Sequence, residues 1–289
     1  MITLEEKMRR ATIYLFLILG LVLTFTPFFW MFSTSLKSGE SIFTFPPQWL
    51  PKKPTIEHYQ RLFGVESQKV REEKGAINLN FALNFRNSVI VAVACTFVSL
   101  FLNSLAAFAF AKFNFPGKEK IFTLLISTLM IPGQVTMIPI FLLLKMLGLL
   151  NTFWALIVPG LVSVYGIFLI RQYMLTIPND LIESARMDGC SDFKIFLYII
   201  LPLCKPVLAT LAVFSFIGAW NDFLWPLIVT MKESMYTLPV ALANLSGEYA
   251  TDYGLMMAGS VVVVTPIIIV FLFAQKFVIE SFATAGLKE

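Results

Sequence analysis

The chain has 289 residues, of which 57% are hydrophobic and only 14% charged, and its mean hydropathy is +0.78. A soluble domain usually carries about 25% charged residues, so this composition excludes an ordinary soluble enzyme and predicts one polytopic membrane domain over residues 1–289. The net charge of +4 is too small for a nucleic-acid footprint, the three cysteines (Cys95, Cys190, Cys204) show no paired spacing, and a lone histidine, His58, leaves no His-based metal cluster to assemble.

At the start, Lys7, Arg9 and Arg10 precede an apolar run from Ala11 to Phe32. The hydrophobic part of a secretory signal is roughly 7–15 residues and ends at a small-residue cleavage site. This run is longer and ends in Phe28, Phe29 and Trp30, so it reads as an uncleaved first membrane span. A spanning helix needs about 20 mostly apolar residues. Six stretches qualify: Ala11–Phe32, Ser88–Phe110, Ile121–Leu144, Phe153–Tyr173, Val207–Val229 and Leu255–Phe277. The third and fourth hold Pro132, Pro139 and Pro159, which membrane helices accept when neighbours satisfy the freed backbone groups. An all-α bundle of six helices is expected.

Orientation follows from Lys and Arg in the short loops. Lys112, Lys118, Lys120, Arg171, Arg186, Lys194, Lys205 and Lys276 fall on the side of the N-terminus, against Lys145 and Lys232 on the other. Both termini are therefore expected inside. Residues 33–87 form a long outer loop with Pro46, Pro47, Pro51 and Pro54 and a mixed-charge patch over Glu66–Lys74, which is either solvated or a docking surface. The chain has no phosphate-binding G-x-x-x-x-G-K-[ST], no G-x-S-x-G and no H-E-x-x-H.

Residues 174–206 are the inner loop that breaks this lipid-adapted pattern. Asp180 and Glu183 favour a helix start after Pro178-Asn179, and Leu181, Ile182 and Ala185 supply an apolar face. Gly189 is a natural stop, and Ser191 is placed to cap a second helix that buries Phe193, Phe196 and Leu197. A helix–turn–helix along the membrane surface is predicted, either as a plain solvated loop or as a knob for a partner's groove.

Glu183-Ser184-Ala185, then Asp188-Gly189, then Leu201-Pro202-Leu203 resemble the EAA loop of ABC importer permeases, with Ser184 and Cys190 where alanines are usual. Phe85-Arg86-Asn87-Ser88, Phe113–Lys118, Ala219–Leu227 and the tail Thr284–Lys288 are similar to further motifs of the sugar-importing branch. The resemblance is to the smaller, six-helix permease of maltose-type systems. It implies a type I importer permease fold in the inner membrane, without enzymatic activity of its own. It also implies a second permease subunit, two ATPase subunits that hold ATP and magnesium, and an extracytoplasmic solute-binding protein. On that resemblance Glu183, Ser184, Ala185, Asp188 and Gly189 form the coupling knob, with Asp188 offered to a basic ATPase residue. Phe193 and Phe196 fasten it to the bundle, and Pro202 closes the coupling loop.

For substrate, Trp220, Asn221 and Asp222 sit about 20–25 Å from the inner edge of the fifth span. They either line the pathway, or Trp220 and Trp225 belong to the outer aromatic belt while Asn221 and Asp222 hold helices together; the second reading is the stronger, and for Gln134 packing is the stronger reading over a place in the pathway. Tyr236, Glu248, Tyr249 and Asp252 are the candidates for contact with a binding protein. A secondary carrier or channel is the competing class, but it would need ionisable groups at membrane centre or an inverted repeat. An intramembrane enzyme would need a catalytic cluster. The spans show neither.

Overall fold

The computed structural model describes residues 4–65, 68, 80–248 and 252–286, and no strand occurs among them. Three helices are each long and apolar enough to cross a membrane: α1 (Leu4–Ser35), α3 (Phe81–Lys112) and α13 (Tyr253–Gly286). Between α1 and α3 lies the short α2 (Glu57–Leu62). The rest of the chain runs as α4 (Lys118–Ser127), α5 (Gly133–Met146), α6 (Phe153–Ile157), α7 (Val164–Leu175), α8 (Asp180–Met187), α9 (Asp192–Leu203), α10 (Lys205–Asn221), α11 (Leu224–Val229) and α12 (Leu238–Glu248).

The other three expected spans are bent pairs, not single rods. The bends are 99° between Lys118–Met130 and Gly133–Met146, 43° between Phe153–Gly160 and Val164–Leu175, and 80° between Asp192–Leu203 and Lys205–Asn221. Pro132, Pro159, Pro202 and Pro206 sit in or beside these breaks, where the missing N–H and the ring deny the preceding turn its bond. The chain replaces the lost bonds locally. Thr152 Oγ1 accepts the Ala155 N–H at 3.4 Å, and Ser163 Oγ accepts the Gly166 N–H at 3.1 Å. The fifth span also ends early. It was expected to run to Val229, but α10 stops at Asn221 and Asp222 turns extended with ψ 119. Pro226 has no N–H to return to the Asp222 carbonyl, which favours the break at 222–223, before α11 resumes.

The chain forms two compact units. The first comprises Met1–Phe81 and Leu242–Thr265, the second Ala82–Ala241 and Pro266–Glu289. In the first, Leu62, Phe81, Leu245, Leu255 and Ala258 form a buried apolar set, and α2 brings two polar side chains, His58 and Arg61, into the interior. His58 shares a 2.8 Å hydrogen bond through Nε2 with the Lys37 carbonyl. Asp252 accepts the Leu255 N–H at 3.0 Å, opening α13, and pairs with Arg61; His58 Nδ1 lies 3.7 Å away. Gly254 must lack a side chain, because a Cβ there would fall 2.2 Å from the His58 ring.

In the second unit, a core of Phe108, Phe122, Ile170, Met174, Ile182, Ile195, Phe196 and Ile200 joins α3, α4, α7, α8 and α9. Full burial of a side chain such as Phe196 contributes roughly 2–3 kcal/mol. A smaller core of Val91, Leu144, Ala155, Leu156 and Val229 packs elsewhere in the same unit.

Candidate functional site

The inner loop folds as the sequence indicates, with three exceptions, at Leu181, Ser191 and Phe193. α8 starts at Asp180 and ends in a turn closed by Gly189 at φ +78. The Gly189 N–H reaches the Arg186 carbonyl at 3.0 Å and the Cys190 N–H reaches Ala185 at 3.0 Å, the paired bonds that terminate a helix through a left-handed residue. Across this turn Arg186 Nη2 bonds Asp192 Oδ1 at 2.9 Å, so the corner is pinned from both sides. Ile182 and Ala185 face the core, whereas Leu181 does not join them and is exposed. Ser191 has the extended backbone of a cap, but its side chain makes no capping bond.

Phe196 is fully buried, yet Phe193 is 56% exposed, so only one of the two expected anchors holds the loop. The helical pitch explains this. Ile195 and Phe196 take the inward positions, and Phe193 points away with its ring 6.2 Å from Phe196. A π turn over Phe196–Ile200 follows, and Pro202 beyond it is exposed. The outward surface therefore carries Glu183, Ser184, Met187, Asp188 and Phe193, while Ala185 is buried beneath it.

This surface is fixed rigidly to α3. Lys112, the last residue of α3, donates from Nζ to the Ile177 carbonyl at 2.6 Å and to Asn179 Oδ1 at 2.9 Å. Phe108 of α3 contacts Phe196 at 5.4 Å and Phe113 at 5.2 Å, and the Arg186 guanidinium lies 5.8 Å from the Phe113 ring. Arg171 adds a bond to the Phe110 carbonyl at 3.2 Å and an ion pair with Glu119 at 3.4 Å. Displacement of α8 must therefore move the inner end of α3.

Deeper in the same unit is a cavity of about 410 Å³. Asp222, Trp225, Ser215, Ser99, Thr136 and Cys95 are among its walls. Of the expected pathway residues, Asp222 alone lines it. Trp220 is 1% exposed, stacked on Phe216 at 5.6 Å and edge-on to Phe85 at 5.7 Å, so it is a packing residue. Asn221 and Gln134 are exposed and lie outside the cavity lining. Trp225 donates from Nε1 to the Ala155 carbonyl at 2.9 Å, and its backbone N–H reaches Asp222 Oδ1 at 3.4 Å.

Of the four candidates for binding-protein contact, Tyr236 is half-buried and Asp252 is engaged with Arg61 within its own unit. Tyr249, the side chain of Glu248 and, apart from Gln68, the Glu66–Lys74 patch lie outside the described residues.

Residues 99–281, more than half of the chain, match the family described as the binding-protein-dependent transport system inner membrane component. The chain belongs to this family. Arabinooligosaccharides transport system permease protein AraQ of Bacillus subtilis (strain 168) is 39% identical over 204 residues, covering 71% of this chain and 73% of AraQ. Inner membrane ABC transporter permease protein YcjP of Escherichia coli (strain K12) is 31% identical over 290 residues, the whole of both chains. A solved bacterial ABC transporter involved in the import of the acidic polysaccharide alginate superposes with a TM-score of 0.80 at 24% identity, over 96% of this chain and 98% of that one. The chain is thus a multi-pass inner-membrane permease with the fold of that transporter.

The structure also gives this permease a set of polar residues whose role sequence reading did not assign. Asn84 Nδ2 donates to the carbonyls of Glu233 (3.0 Å) and Tyr236 (3.1 Å), and Asn87 Nδ2 to those of Ser234 (2.9 Å) and Tyr236 (3.1 Å). Ser88 Oγ accepts the Leu238 N–H at 2.7 Å. The Phe85-Arg86-Asn87-Ser88 motif is therefore half of a clamp that holds the 233–238 turn. Asn151, at φ 59, grips the same turn's approach by accepting the Lys232 N–H at 3.0 Å. Asn87→Ala would remove both of its donations, leaving the Ser234 carbonyl without this partner and the Tyr236 carbonyl to Asn84 alone, at a cost of about 1–2 kcal/mol. Thermal unfolding in detergent should register a clear drop, whereas Arg86→Ala on the partly exposed side of α3 should not.

Proposed function

We propose that this permease forms half of the path of an ATP-driven sugar importer and takes its power stroke on the α8–α9 surface. The observation that carries the reading is the rigid link from that surface to α3 through Lys112, Phe108 and Phe196. A solvated loop would need no such fastening. In this reading, partner ATPase subunits holding ATP and magnesium seat on Glu183, Ser184, Asp188, Gly189 and Phe193. Phe196 and Ala185 hold the knob to the bundle from within, and Pro202 starts the return into α10. Closure of the ATPase pair pulls α3 through these contacts and alternates access around the path.

A second permease subunit supplies the other half, and a solute-binding protein delivers cargo from outside around Tyr236, Glu248, Tyr249 and Asp252. One solved relative of similar fold, at a TM-score of 0.56, is an alginate transporter in complex with a periplasmic protein loaded with alginate pentasaccharide, which supports such a partner. The relatives that carry sugars in their names support the cargo class: arabinooligosaccharides, galactooligosaccharides and lactose.

Uptake of labelled arabinotriose into proteoliposomes, with and without the ATPase subunits, tests the reading. Uptake should require both the ATPase and ATP. Equal uptake without the ATPase would replace this reading with a carrier that works alone.

A further inference from the structure

The cavity of the second unit carries side-chain charge of one sign. Asp222 is the carboxylate in its wall, and no Lys, Arg or His is found among the described lining residues. Around it stand the hydroxyls of Ser99, Thr136 and Ser215, and an indole whose N–H is already committed to the Ala155 carbonyl. The volume of about 410 Å³ suits a small polar ring, since ligand sites span roughly 300–1,000 Å³. Two helix starts, at Gly133 and Ser163, also border the cavity. Each brings at most about half an elementary charge, and their first N–H groups are partly occupied: Val135 on the Pro132 carbonyl and Gly166 on Ser163 Oγ. The C-terminal end of α10, immediately before Asp222, adds partial charge of the same sign as the carboxylate. Low-dielectric walls focus such a field onto whatever enters.

We propose that this cavity is a charge filter: it admits neutral or cationic polyhydroxylated rings and repels carboxylated or phosphorylated sugars, with Asp222 as the deciding residue. The proposal rests on the reading of this chain as half of a sugar path. It separates the chain from its fold, because a transporter of an acidic polysaccharide has the same architecture. The cavity lining, not the helix arrangement, sets the charge of the cargo.

Cys95 lies in the same wall and reports the field without any knowledge of the natural sugar. The test uses the full importer with Cys190→Ser and Cys204→Ala and with partner subunits free of reactive thiols. Cys95 is titrated during ATP turnover with aminoethyl, methyl and sulfonatoethyl methanethiosulfonates, and each rate is normalised to that reagent's reaction with free cysteine. The cationic reagent should outpace the anionic one by about tenfold or more, the scale on which a focused field changes local ion concentration. Asp222→Asn keeps the acceptor for the Trp225 N–H and should bring the ratio close to unity, while Asp222→Glu should retain it. Labelling at equal normalised rates, or a ratio that Asp222→Asn leaves unchanged, overturns the filter and leaves the path intact. Failure of every reagent to reach Cys95 throughout turnover overturns the filter, because the cavity is then closed to solutes of this size, while ATP-dependent uptake decides the path separately.

Discussion

Arg61→Met should lower the midpoint of thermal unfolding by about 5–10 °C, the shift corresponding to roughly 3 kcal/mol in a chain of this size. The cost arises because Arg61 is 2% exposed and pairs with Asp252, whose carboxylate would lose its cation while remaining largely covered. Asp252 would keep the Leu255 N–H and the more distant His58 ring. Combining Arg61→Met with Asp252→Asn should recover more than half of the loss, since the amide still caps α13 and carries no charge. A fall of less than about 2 °C in the single variant would show that the pair contributes little.

Acid reports on the same pair. Burial pushes the Asp252 carboxyl up, but the Leu255 N–H, Arg61 and His58 together outweigh it and hold the group below the usual carboxylate range. A depressed carboxyl pKa stabilises the fold above its unfolded value, about 3.9, and that contribution is lost as pH falls through the folded value. Wild type should therefore lose stability more steeply than the double variant below about pH 4, so that the gap between them is widest at neutral pH and narrows in acid.

Glu183→Lys should reduce transport at least about tenfold, equivalent to 1.4 kcal/mol of coupling, while lowering the unfolding midpoint by no more than about 2 °C. Glu183 is exposed, and no hydrogen bond or ion pair holds its side chain among the described residues, so its reversal costs the chain only the first-turn dipole contribution, about 0.3–1 kcal/mol. The turn beside it separates shape from charge. Gly189 sits at φ +78 with nothing within 4 Å of a built Cβ, so substitution there acts through the backbone alone. Gly189→Val should uncouple hydrolysis from uptake because a branched side chain disfavours this conformation by about 1–2 kcal/mol. Gly189→Asn, which tolerates it, should stay close to wild type. Equal transport by the Val and Asn variants would detach the turn from coupling. Parallel measurement of uptake and ATP hydrolysis in proteoliposomes distinguishes these results.

Local signals in the sequence proved reliable. Apolar runs located the three continuous spans and, without their bends, the three broken pairs, and the Asn179 start, the Gly189 stop and the inward Ile182 and Phe196 were legible from helix chemistry. What was not legible depends on partners far along the chain. Arg61 and Asp252 are 191 residues apart, and Asn84 meets Tyr236 across 152. No periodicity encodes either pairing. Hydrophobicity also ranks residues without aiming them: Phe193 and Leu181 look as buriable as Phe196 and Ile182, but the helix pitch turns them outward. Trp220 read by type as an outer-belt aromatic or a pathway wall, and by position it is core. The early end of the fifth span was written in Asp222 and Pro226, two residues that a window of mean hydropathy averages away.

The interruptions near 131–132, 161–163 and 222–223 all border one cavity, through Gly133, Ser163 and Asp222. Each interruption frees peptide groups that an unbroken helix would consume, and at this depth such groups must find protein or water. Much of the polarity of this cavity's wall is thus supplied by main chain, which a substitution removes only where it heals a break or introduces proline. Alanine scanning would be nearly blind to it. A lineage of permeases built this way could change the side chains around its cargo repeatedly and still conduct, because solvation of the route does not reside in the residues being changed.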